Sequence, residues 1–189
     1  MNKERVRIFV IYALFIFIFS LVQFSTPDFV SFLDVTPDFL FVFTVLVGYL
    51  YGTNDAVVVG LISGFIKDAY AGRFLGLSML IFLYCGIIAS LFLKKLLSRN
   101  LFLALVQMTF ATMIYHVSLT AISIMFFSVT QSLQQYIFWV AMNRMLPAIV
   151  MNIIVAAVMY FLIKQFGPYK NSALDLNSKE NSIGDSLWE

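Results

Sequence analysis

Five charged side chains stand out because the chain around them is so apolar: Asp38, Lys67, Asp68, Arg73 and Arg144. An ionised group inside a bilayer is costly, so it is kept for pairing, for an ion or proton path, or for a partner. Two readings are open for three cations and two carboxylates in one layer. In the first they are ion pairs and helix caps that hold a bundle together. In the second they form a polar pocket or a docking surface facing outward. A direct Asp68–Arg144 pair is one arrangement that a charge-reversal swap would test.

Residues suited to catalysis are scarce. His116 is the only histidine, and no Cys, Asp or Glu lies near it in sequence, so a zinc site is not expected. It reads instead as a buried, hydrogen-bonded core histidine. Cys85 is the only cysteine, which excludes an intramolecular disulfide and a cysteine cluster. Gly76-Leu77-Ser78-Met79 lacks the second glycine of the rhomboid Gly-x-Ser-Gly signature, and Gly64-Phe65-Ile66-Lys67-Asp68 does not match the presenilin-like Gly-x-Gly-Asp. Phosphate-cradling loops are absent as well. The expectation is a protein without cofactor or metal that is not an enzyme.

The elements that position these charges follow from composition. Of 189 residues, 61% are hydrophobic and 12% charged, and the mean hydropathy is +0.93. A soluble domain runs at about 45–50% apolar and about 25% charged. No charge occurs in residues 8–27, 39–54, 74–93 or 100–143. That excludes a soluble enzyme and a nucleic-acid reader and predicts an integral protein of the lipid bilayer. At about 20 apolar residues per span, the chain has room for an all-α, polytopic bundle of six transmembrane helices. The expected spans are Ile8–Phe24, Pro37–Gly52, Ala56–Ile66 extended through Asp68, Phe74–Leu93, Leu101–Phe127, and a sixth within Tyr136–Ile163 kinked at Pro147. Spans two and three are expected to form a tight hairpin turning at Thr53, Asn54 and Asp55.

Cytoplasmic loops are enriched in lysine and arginine. With the N-terminus inside, Lys3, Arg5, Arg7, Lys94, Lys95, Arg99, Lys164, Lys170 and Lys179 lie on the cytoplasmic side, and only Lys67, Arg73 and Arg144 on the other. Both termini are therefore expected in the cytoplasm. A repeat, Thr26-Pro27-Asp28-Phe29 and Thr36-Pro37-Asp38-Phe39, reads as two helix starts with capping threonine, first-turn proline and an aspartate near the positive dipole end. The first is expected to open a short interfacial helix, Pro27 to Leu33, and the second opens span two. Residues 1–166 are expected to form the transmembrane domain, with 167–189 a disordered cytoplasmic tail.

Small residues recur at four-residue spacing: Gly48 and Gly52, Gly60 and Gly64, then Gly72 and Gly76. Such spacing lets helices approach closely, either within the chain or, as the minority reading, between chains. The order Pro37-Asp38-Phe39-Leu40, Gly52, Gly60-Leu-Ile-Ser-Gly64-Phe-Ile-Lys-Asp68, Gly72 and Gly76-Leu77 resembles the MreD family of bacterial rod-shape-determining membrane proteins. The close likeness covers about forty residues, and Lys67 departs from it, standing where an apolar residue is expected. The resemblance implies a fold similar to the S-components of energy-coupling-factor vitamin transporters. It also implies a multi-pass place in the bacterial cytoplasmic (inner) membrane and a scaffold role in the machinery of lateral peptidoglycan synthesis. The implied partners are a bitopic MreC-like protein and the elongation complex of MreB, a SEDS glycosyltransferase and a class B penicillin-binding protein, with no nucleic acid. The residues expected to form the outer polar layer or to contact a partner are Asp38, Gly60, Gly64, Lys67, Asp68, Gly72, Arg73 and Arg144.

The alternative from another class is a vitamin-binding S-component. Such proteins commonly carry Ala-x-x-x-Ala on the first helix, and here that helix reads Tyr12-Ala13-Leu14-Phe15-Ile16-Phe17, without the pair.

Overall fold

The structure, a computed structural model, describes residues 3–25, 35–72, 75–93, 100–126 and 132–168. Regular structure there is helical: α1 (Lys3–Ser25), α2 (Phe39–Tyr51), α3 (Thr53–Ala71), α4 (Leu77–Leu93), α5 (Leu101–Phe126), α6 (Leu133–Val140) and α7 (Leu146–Phe166). A π-helical turn, Ala141–Met145, joins α6 to α7. Three stretches are long and apolar enough to cross a membrane: Val6–Ser25, Leu101–Met125 and Gln135–Phe166. The last two expected spans thus appear as helices close to their expected bounds. The interfacial helix expected at Pro27–Leu33, residues 73–74 and all but the start of the expected tail lie outside the described residues.

The centre of the bundle is α2. Every side chain from Leu40 to Leu50 is buried, and the helix packs on α1, α3, α4, α5 and α7. A helix that is apolar all round must be surrounded, whether by protein or by lipid, and here protein does it. The turn out of α2 is tighter than expected. Gly52 alone reverses the chain, at φ 107°, a conformation open to glycine because it has no Cβ. Thr53, Asn54 and Asp55 already belong to the first turn of α3, where the carboxylate of Asp55 faces the positive end of the helix dipole.

The π-helical turn lies just ahead of the expected proline kink. Pro147 occupies the first turn of α7, where a missing N–H is tolerated. A proline inside a continuous α-helix would crowd the carbonyl four residues earlier; the widened turn carries that irregularity, as inserted turns do elsewhere in helices.

Hydrogen bonds fix the relative heights of the helices. At one end the Tyr51 hydroxyl donates to the Ile163 carbonyl at 3.0 Å and the Tyr49 hydroxyl to the Asn100 carbonyl at 2.7 Å. At the other end of α2, Asp38 meets Asn152 of α7, and Asn152 meets Thr112 of α5. The 13 residues of α2 separate these levels by about 20 Å. Past the second level α5 runs on from Thr112 to Phe126, about 21 Å, and the α7–α6 rod from Asn152 to Leu133, about 28 Å. The long helices therefore outreach the short central ones on the side that bears the polar layer.

Candidate functional site

The polar layer is built where α2 begins. Asp38 is the N-cap of that helix: its Oδ1 accepts from the Phe41 N–H at 3.1 Å, satisfying one of the unpaired first-turn donors. Its own N–H donates to Asn152 Oδ1 at 3.0 Å. Its second oxygen is the partner of Lys67 in an ion pair across to α3. Lys67 Nζ also donates to the Tyr115 hydroxyl at 2.8 Å and lies 4.9 Å from the centre of the Tyr115 ring and 5.2 Å from that of Phe82. A cation over aromatic faces gains electrostatic attraction where water is scarce. The position that departs from the expected apolar pattern is thus the residue that neutralises Asp38.

Two side-chain amides complete the layer. Gln23 of α1 accepts from the Phe39 N–H at 2.7 Å and donates to the Pro37 carbonyl at 3.3 Å, clasping the entry to α2. Asn152 donates to Thr112 Oγ1 at 3.3 Å. Neither amide, nor Thr112 or Tyr115, stands out in the sequence as the charged residues do, because none of them carries a charge. The available signal was uncharged: Asn152 interrupts a run of apolar residues in the middle of the last span.

Asp68, 3% exposed, does a different task. Its carboxylate accepts from the backbone N–H groups of Gly76 at 2.8 Å, Ser78 at 3.0 Å and Met79 at 3.3 Å, so it caps α4 from the end of α3. Gly72 closes α3 in the left-handed conformation at φ 62°, its N–H bonding to the Asp68 carbonyl at 3.1 Å. The Asp68–Arg144 pair therefore does not form. Arg144 sits in the π-helical turn, exposed, with its guanidinium 6.0 Å from the Trp139 ring. Eight residues along the rod from Asn152, it stands about 12 Å beyond the Asp38 level. Arg73 lies outside the described residues.

The glycines pack within the chain. A Cβ on Gly64 would collide with the Met79 backbone, 2.6 Å from its nitrogen, and one on Gly60 would come to 3.2 Å from the Phe82 and Leu83 backbone. Gly48 faces the Gly86 carbonyl in the same manner. The Gly60/Gly64 face is thus covered by α4, and the three short helices form one tight block. His116 is half-buried with its ring edge-on to Tyr115 at 5.4 Å. Among the described residues no group of three His, Cys, Asp or Glu side chains gathers to hold a metal.

What this arrangement does chemically is neutralise and cap. Each described carboxylate of the layer is engaged by a cation or by backbone N–H groups, and α1, α2, α3, α5 and α7 are pinned at one height. Set against known proteins, the chain matches the sequence model of one family, described as rod shape-determining protein MreD, over residues 3–169. No curated protein and no solved structure matches it.

Proposed function

The chain belongs to the MreD family of rod shape-determining membrane proteins, and from that premise we propose that it is a non-catalytic scaffold of the cell-elongation machinery. It binds an MreC-like bitopic protein and helps organise lateral peptidoglycan synthesis by the actin-like MreB filament, the SEDS glycosyltransferase and the class B penicillin-binding protein. It crosses the cytoplasmic membrane six times with both termini inside. The observation that supports this reading is the engagement of the buried charges. Asp38, Lys67 and Asp68 are all committed to helix starts and one ion pair, which makes a rigid outer layer rather than a reactive centre. Gly60 and Gly64 set the shape of the α3–α4 hairpin, and the end of α3 at Asp68 and Gly72, together with Arg144, presents that layer to the partner, to which Arg73 also contributes. Nothing in the comparisons favours the vitamin-binding alternative.

Depletion of the full-length chain in its rod-shaped host tests the reading. Cells should widen and round, and the tagged chain should co-purify with a single-span protein bearing a coiled coil and a β-rich outer domain. Normal cell width after complete depletion overturns it.

A further inference from the structure

Among the polar groups outside the layer that make no hydrogen bond within the described residues, two belong to the neighbouring helices α4 and α5. Gln107 of α5 is 7% exposed, yet neither its Nε2 nor its Oε1 makes a hydrogen bond. It lines a cavity of about 150 Å³ between α4 and α5, walled by Cys85, Ile88, Ala89, Phe110 and Ile114. The second group is Tyr84, the residue next to Cys85, which is 60% exposed at the midpoint of α4 with its hydroxyl making no hydrogen bond among the described residues. Tyrosine favours the two membrane–water interfaces, where its hydroxyl stays wet. A lipid-facing phenol halfway along an apolar helix of 17 residues has no water to bond.

Water does not resolve the cavity either. A buried water needs two to four polar partners, and Gln107 supplies the only amide on an otherwise apolar wall; the Cys85 thiol is turned to the Ala111 carbonyl at 3.9 Å. The missing partner must then be a polar side chain arriving from the lipid side, through the mouth flanked by Ile88 and Phe110, 39% and 56% exposed. The chain carries a fitting side chain of its own. A phenol can both donate and accept, so it can donate to the oxygen of a primary amide or accept from its nitrogen. Each copy has one protruding Tyr84 and one Gln107 cavity, and contacts of the form i-to-j and j-to-i close a two-fold dimer. A two-fold axis along the membrane normal preserves depth, and the α4 wall of the cavity starts one residue from Tyr84, so knob and hole lie within about one helical turn of each other.

We propose that a second copy of this chain docks across the α4–α5 face, with Tyr84 of each copy entering the Gln107 cavity of the other. The surface concerned lies outside the polar layer, so this dimer stands or falls apart from the scaffold reading. Hydrogen bonds between helices are a known means of association in lipid, where burial of apolar surface supplies little drive.

The test uses the full-length chain, labelled with donor and acceptor dyes, in vesicles of phosphatidylethanolamine and phosphatidylglycerol. The unsubstituted chain should show energy transfer that grows with protein density. Tyr84→Phe and Gln107→Leu should each weaken association by about tenfold, and the double variant should be no weaker than either single one, because both remove the same contact. Energy transfer absent at every density, or losses that add in the double variant, overturns the proposal. Because Gln107→Leu alters a buried site, a second arm avoids it. Copies bearing Tyr84→Cys and copies bearing Gln107→Cys, each with Cys85→Ser, should be joined by a bismaleimide whose spacer matches the phenol and amide side chains it replaces, far more when expressed together than when either is expressed singly; no such excess on co-expression also overturns the proposal.

Discussion

Lys67 and Arg144 are both cations in apolar helices of one chain, and the structure treats them in opposite ways. Lys67 is drawn into the block of short helices, where it meets the Asp38 carboxylate, the Tyr115 hydroxyl and two aromatic rings. Arg144 is carried out on the long α6–α7 rod, exposed against Trp139. What separates them is height, and height is set by helix length. The central helices stop at the Asp38 level, so a charge at that level must be neutralised by protein. The long rod continues past it, and 20 residues from Lys164 to Arg144 span about 30 Å, the thickness of a hydrocarbon core. Arg144 thus stands about one such thickness from Lys164, and an arginine beside a tryptophan is a pairing common at membrane boundaries.

If the block is rigid because its backbones touch, the hardest way to break it is at a contact with no slack. Gly64→Ala places a methyl against the Met79 backbone, and neither helix can yield without parting the hairpin. The expected loss is about 3 kcal/mol, read as a lower denaturing mole fraction of SDS in mixed micelles. Because Asp68 caps α4 across the same hairpin, the variant should also lose hydrogen-exchange protection at Ser78 and Met79. A neutral outcome would mean that the hairpin is looser than its geometry.

The charged side of the comparison is tested by Lys67→Met. It leaves Asp38 largely buried without a cation, and removing one member of a buried pair costs about 3 kcal/mol. Adding Asp38→Asn should restore most of that, since asparagine caps a helix about as well as aspartate and carries no charge. Exchanging the two residues should not restore it. A lysine at position 38 has no acceptor for the Phe41 N–H, so the swap repairs the charge but not the cap. Recovery in the swapped chain would show that Asp38 acts through charge alone.

Much of this was legible from the sequence, and the reason differs between the two regions. Charge-free runs located α1, α2, α4 and α5, because a bilayer imposes length and apolarity directly on the chain. Glycine spacing pointed to close packing, and Thr36-Pro37-Asp38 to a helix start, but two residues early: the cap is Asp38 rather than Thr36, and Pro37 precedes the helix. What stayed hidden was pairing. That Asp38 takes Lys67, while Asp68 takes backbone N–H groups and leaves Arg144 alone, depends on the relative heights of helices. Height is a three-dimensional quantity, fixed by Gln23, Asn152 and Thr112, whose uncharged side chains leave no mark in a charge tally. The widened turn before Pro147 was hidden for a related reason. A proline announces an irregularity, while the neighbouring turn decides its form.

Asn152 offers a smaller test of that register. Asn152→Leu keeps the branched shape and removes the acceptor for the Asp38 N–H and the donor to Thr112. Thr112 retains its bond to the Met108 carbonyl at 2.9 Å, so one buried N–H is left without a partner. The expected loss is about 1–2 kcal/mol in the same micelle titration, less than for Lys67→Met.

The smallest effect on stability belongs to Arg144→Gln, which sharpens the comparison from the other side. An exposed residue with no ion pair among the described residues has little to lose, and surface substitutions away from special contacts fall within about 0.5 kcal/mol. The titration should therefore hardly move. If Arg144 serves an outer-surface partner, the loss appears instead in co-purification with the single-span protein and in cell width. Stability and function would then separate along the same line as the two cations: Lys67→Met failing in both because it unseats α2, Arg144→Gln failing only in the cell. Should Arg144→Gln destabilise the chain by as much as Lys67→Met, the outer rod would be part of the folded block, and height would no longer explain why one cation is buried and the other is not.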